Sequence, residues 1–143
     1  MNLINFDTSK NLEELEALAG KRSSMVSSSQ TLRKKAVKDF TIAELKGMIA
    51  QNSSLKFLVP LAIQRLHVDS LVKGDSYEGD LLNAVLTVEK KFWIDDLKGI
   101  IPMVEAVVEI ALAVANAKPA EYAKFLQNST GAINIFKANV GLI

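Results

Sequence analysis

Apolar residues in this chain return every three or four positions, segment after segment, and almost never every second one. That spacing lines one face of an α-helix and cannot line one face of a strand, so it excludes most architectures at once. It recurs in Leu12, Leu15, Leu18 and Ala19, in Ile42, Leu45, Met48 and Ile49, and in Leu55, Leu58, Val59, Ala62, Ile63 and Leu66. Leu81, Leu82, Val85 and Leu86 continue it, followed by the apolar run Ile100 to Ala117 and by Tyr122, Phe125 and Leu126. β-branched runs are short and sit inside these patterns, and no internal repeat of 20–50 residues is visible. The expectation is an all-α, single-domain bundle of about six or seven helices over residues 1–143, a length that suits one compact domain.

Local signals punctuate the bundle. Glu13, Glu14 and Glu16 stand in the opening turns of the first helix, where the dipole favours acids, and Gly20 is placed to stop it. Residues 21–30 are dominated by serine, which competes for its own backbone, so residues 1–30 read as a loosely attached helix and a Ser-rich linker. Thr41-Ile-Ala-Glu44 has the form of a capping box and starts a helix from Ile42 to about Gln51. Asn52-Ser53-Ser54 breaks it and caps the next helix, Leu55 to about Leu71, with a local distortion expected at Pro60. Gly74 to Asp80 is the clearest loop, with Asp80 expected to cap a helix over Leu81–Val88. Pro102 suits the first turn of the long apolar helix, Lys118-Pro119 restarts the chain, and Asn128-Ser-Thr-Gly131 reads as a helix end.

Composition narrows the chemistry. The chain has no Cys, which excludes disulfide frameworks, thiol nucleophiles and Cys-based metal sites. A net charge of +1 argues against nucleic-acid binding by bulk charge, and the single His67 cannot build a His-rich metal site. The N-terminus lacks a basic segment and meets acids early, unlike a signal peptide. Ile100–Ala117 is interrupted by Glu105 and Glu109, so a buried helix of a soluble, cytoplasmic protein is expected, with no membrane partner. Gly74 and Gly79 lack the strand and Lys-Ser/Thr of a phosphate cradle, and Asp75, Glu78 and Asp80 lack the ligand schedule of a calcium loop. Glu105 and Glu109 share a helix face but lack the Glu-x-x-His companions of a di-metal site. No catalytic residues, cofactor or metal are therefore assigned. Arg33, Lys34, Lys35 and Lys38 form a basic run without interleaved aromatics, which leaves a helical RNA-binding protein as the alternative function.

From Leu32 to Trp93 the residues carry a resemblance. Leu32-Arg33-Lys34-Lys35, Lys38-Asp39-Phe40-Thr41, Glu44-Leu45, Gln51, Leu55-Lys56-Phe57-Leu58-Val59-Pro60-Leu61-Ala62, Tyr77-x-Gly79-Asp80-Leu81-Leu82-x-Ala84-Val85-Leu86 and Phe92-Trp93 follow in order. This series resembles a helical family of immunity proteins from bacterial contact-dependent growth inhibition (CDI) systems. The resemblance implies a cytosolic, non-enzymatic antidote whose partner is the cognate C-terminal toxin domain delivered by a neighbouring cell. Many such toxins are nucleases with basic grooves, so an acidic surface would speed encounter and occupy phosphate positions. Asp69, Asp75, Glu78 and Asp80 supply acids in a segment of formal charge −3, and Tyr77 supplies an aromatic anchor. These five are the expected toxin-binding residues.

Overall fold

The computed structural model describes residues 4–18 and 30–142. It is all-α, with no strand among the described residues beyond one isolated antiparallel bridge, Lys73 to Glu78. In chain order the helices are α1 (Leu12–Leu18), α2 (Gln30–Arg33), α3 (Ile42–Ala50), α4 (Leu55–Val68), α5 (Asp80–Leu86), α6 (Lys90–Asp95), α7 (Ile101–Ala117) and α8 (Ala123–Asn139). Short 3₁₀ turns cover Val37–Asp39 and Lys98–Ile100.

The short helix α5 is the hub. It packs against α3, α8 and α4, while α7 closes the bundle against α4 and α8. Leu81, Leu82, Val85 and Leu86 have no solvent exposure, and Asp80 and Asn83 are buried with them. A helix apolar around most of its girth has to be enclosed, because each exposed Leu or Val would forgo ~1.5–3 kcal/mol of burial. Seven residues would not hold a helix alone in water, so its neighbours supply the stability.

Two local readings hold closely. Thr41 Oγ1 accepts from the Glu44 amide at 3.1 Å while Glu44 Oε1 accepts from the Thr41 amide at 2.9 Å, a complete capping box. Pro102 lies at the start of α7. Helix α4 runs without interruption through buried Pro60, so the expected distortion does not break it.

Other expectations are corrected. In the N-terminal segment, Leu12 and Leu15 of α1 lie in the core, and Phe6 meets Phe57 edge-on with centroids 5.2 Å apart. Gly20 and the Ser-rich segment fall outside the described residues. Ser54 holds the N-cap position of α4, but its side chain makes no cap bond; it sits at φ +51° and its hydroxyl donates to Glu16 instead. Asn128–Gly131 does not end a helix, because α8 continues to Asn139. Its polar groups bond back to the helix's own carbonyls, Asn128 Nδ2 to Lys124 at 2.8 Å and Ser129 Oγ to Leu126 at 3.4 Å. Meanwhile Phe125, Ser129, Ala132 and Phe136 keep an unbroken buried stripe at spacings of four, three and four.

The long apolar helix is also less enclosed than expected. Lys98–Ala117 is long and apolar enough to cross a membrane by length and composition, and 28% of that window is buried. Val104, Val107, Val108, Ala111 and Ala115 face the core, whereas Ile110 and Val114 are exposed.

Candidate functional site

The segment between α4 and α5 is a compact loop built around one acid. Val72 and Lys73 meet Glu78 and Gly79 across the isolated bridge, with Gly79 N–H donating to Val72 O at 3.4 Å. The Asp80 carboxylate then accepts three backbone amides from the turn: Gly74 at 2.6 Å, Ser76 at 3.0 Å and Tyr77 at 3.4 Å. Such charge-assisted bonds are about twice as strong as neutral ones. Asp80 is therefore not the helix cap. Gly79 occupies the cap position, and Asp80 is the first helical residue, reaching backward to clasp the loop. At 2% exposure its carboxylate is spent inside the molecule.

Gly79 allows this return. It adopts φ +91°, a region costly to side-chain-bearing residues, and an added Cβ would stand 2.3 Å from Phe125 Cδ1. The loop therefore lies flat against α8. Ser76, Tyr77 and Glu78 form one wall of a groove of about 220 Å³ whose other wall is Ala120 to Phe125. Tyr77 is half-buried, and its hydroxyl accepts from Asn83 Nδ2 at 2.9 Å.

Sequence reasoning missed the cation of this site. Lys46, on α3, places Nζ 2.6 Å from Asp75 Oδ1, 2.9 Å from Ser76 Oγ and 3.4 Å from Asp80 Oδ2. Hydrogen bonding from Lys46, and then from Ser76, holds the Asp75 carboxyl below its usual value. Burial works to lower the Lys46 ammonium, but the Asp75 hydrogen bond and the charges of Asp80 and Asp75 outweigh it and raise it. Nothing in the order of residues pairs positions 46 and 75; only the approach of α3 to the loop does.

The five expected contact residues thus separate. Asp69, Asp75 and Glu78 are exposed, Tyr77 is half-buried and Asp80 is internal. Asp69 also accepts the Leu71 amide at 3.2 Å, which fixes its side chain at the end of α4. Glu78 has no ion pair among the described residues.

The basic run fares differently. Arg33 is 1% exposed and donates to Glu16 through both terminal nitrogens, at 2.5 and 3.2 Å. Lys35 pairs with Glu44 at 2.8 Å, leaving Lys34 and Lys38 exposed. The basic run therefore loses Arg33 to the core and pairs Lys35 with Glu44. His67 is exposed at the end of α4. Glu105 and Glu109 line a groove with Val108, Leu112, Ile133, Phe136 and Lys137. No cluster of three or more His, Asp or Glu suited to a metal occurs among the described residues.

A family model described as CDI immunity proteins matches residues 11–101, well over half of the chain. The chain belongs to the CDI immunity proteins. That family's role is toxin-neutralising immunity. The match takes in the Glu16–Arg33 pair, Lys46 and the whole Asp80 loop of this immunity protein, and stops where α7 begins. Comparison with curated proteins and with solved structures gives no match.

Proposed function

We propose that this CDI immunity protein acts in the cytoplasm by binding the C-terminal toxin domain of its cognate effector, and that the loop of residues 69–80 forms part of the contact. One observation carries this reading: three exposed carboxylates, Asp69, Asp75 and Glu78, ride on a loop held rigid from beneath by Asp80. A preorganised surface loses little freedom on association, which favours affinity. Asp80 enters as the clasp rather than as a contact. Lys46 softens the acidity, lowering the formal charge of the segment from −3 to −2, and leaves Asp69 and Glu78 as outward carboxylates beside exposed Lys73. An acidic rim suits a nuclease toxin, whose substrate groove has to attract phosphates. The inward face of α7 belongs to the core, so that helix is read as scaffold rather than as a membrane span.

Co-expression with candidate toxin domains tests the whole reading, with rescue of growth expected for one cognate toxin. Reversal of Asp69 and Glu78 to Lys tests the surface. Association with that toxin should slow, and its salt dependence should flatten, while the fold is retained. Unchanged association by a folded double variant would place the contact elsewhere. Rescue without a stable complex would refute direct binding.

A further inference from the structure

A concavity lies away from the acidic loop, where the last turn of α8 meets α6 and the start of α7. It has a volume of about 280 Å³ and is lined by Trp93, Ile94, Ile101, Val140 and Gly141 together with Lys90 and Lys98, with no acid in the lining. Two features make it a preformed hollow. On the floor, Trp93 Nε1 and Asn139 Nδ2 both donate to Val88 O, at 3.0 and 3.2 Å, and Trp93 stands edge-on to Phe136 with centroids 5.0 Å apart. On the wall, α8 ends with the Leu142 amide donating to Lys137 O at 2.8 Å and the Gly141 amide to Ala138 O at 3.4 Å. With Gly141 at φ +79°, this is the 6→1 and 5→2 pattern of a Schellman end, which sets Val140 and Gly141 in place without help from a ligand.

From this geometry we infer a binding site for a small amphipathic anion, an aliphatic or aromatic body bearing one carboxylate. The apolar floor takes the body, in keeping with ligand sites that are mostly apolar with few polar groups. Two ammonium groups, unopposed within the lining, take the charge. The volume lies just below the roughly 300–1,000 Å³ typical of ligand pockets, which suits a medium-chain acid better than a nucleotide. The site is independent of the 69–80 loop, and α8, which forms its wall, lies beyond the part of the chain matched by the family.

Trp93 is the chain's single tryptophan, so its emission reports on this hollow. Decanoate, decanol and decyltrimethylammonium would each be titrated into the full-length protein below micelle-forming concentrations, with calorimetry in parallel. A saturable change with decanoate is expected, binding about fivefold tighter than decanol per lysine engaged, at the upper end for exposed charge pairs. The cation should not bind. Lys90→Gln and Lys98→Gln, both on exposed side chains, should each remove about that factor and together erase the preference for the acid. Equal affinity for decanoate and decanol, or a decanoate affinity untouched in the double variant, would overturn the inference. So would the absence of heat and of a Trp93 response. If decanoate binds only when Trp93 is unaffected, the acid sits elsewhere and this site is refuted.

Discussion

Two charged stretches, Arg33–Lys38 and Asp69–Asp80, look alike as sequence: short, dense in one sign and bordered by helices. Folded, they behave as opposites. The basic stretch turns Arg33 inward onto Glu16 and spends Lys35 on Glu44. The acidic stretch turns only Asp80 inward, and uses it to hold three amides so that Asp69 and Glu78 stay in solvent. One buried charge in each does structural work. The difference lies in what that charge grips: a second helix in the first case, the loop's own backbone in the second. A run of charge in sequence is thus a statement about composition, and becomes a surface only when the fold decides which members are consumed.

The contrast can be broken most severely at Arg33. Arg33→Ala should cost about 3–5 kcal/mol in urea unfolding, because buried Glu16 loses its cationic partner and keeps only the Ser54 hydroxyl. Replacing both by Met should cost far less than the two single changes summed, a coupling read from the double-mutant cycle. At Asp80 the effect should be smaller. Asp80→Ala strands backbone amides at the edge of the core and should cost about 1–3 kcal/mol, again by urea unfolding. It should also weaken toxin association, since the loop loses its shape. Glu78→Lys should sharpen the comparison from the other side. It should leave stability within about 0.5 kcal/mol while reducing the rate of toxin association in stopped flow.

The smallest effect concerns pH. Hydrogen bonding from Lys35, then from the Thr41 amide, lowers the Glu44 carboxyl below its ordinary value of 4.5. A lowered folded-state value means that the stabilisation is present above pH 4.5 and is lost as pH falls through the folded value beneath it. Thermal unfolding between pH 6 and pH 3 should show the decline, and Glu44→Gln should flatten part of it.

Much of the bundle was legible because helices declare themselves locally. The capping box at Thr41 and Glu44, Pro102 at the front of α7 and the stripe of α4 are set by residues within a few positions of one another. The end assigned at Asn128–Gly131 failed for an instructive reason. Asn, Ser and Gly are weak helix formers, but propensity differs by under about 1 kcal/mol per residue, and burial of Phe125 and Phe136 on either side outweighs it. Likewise Asp before Leu-Leu suggested a cap, yet the free choice of φ at Gly79 let the chain bring Asp80 back over its own loop. Of the candidate surface, Asp69, Asp75 and Glu78 could be named from composition; Lys46 could not, being brought there from another helix.

By itself, the order of residues determined that this chain is helical, where most helices begin, and that it carries the series shared with CDI immunity proteins. These depend on short-range spacing and on side chains that satisfy nearby backbone groups. Only the tertiary structure decided which charges face water, that Arg33 and Asp80 do not, and that α6, α7 and α8 enclose a hollow over Trp93. The cost of burying a charge is met only by partners that the fold assembles: distant Glu16 for Arg33, and for Asp80 the amides of its own loop together with Lys46 from α3.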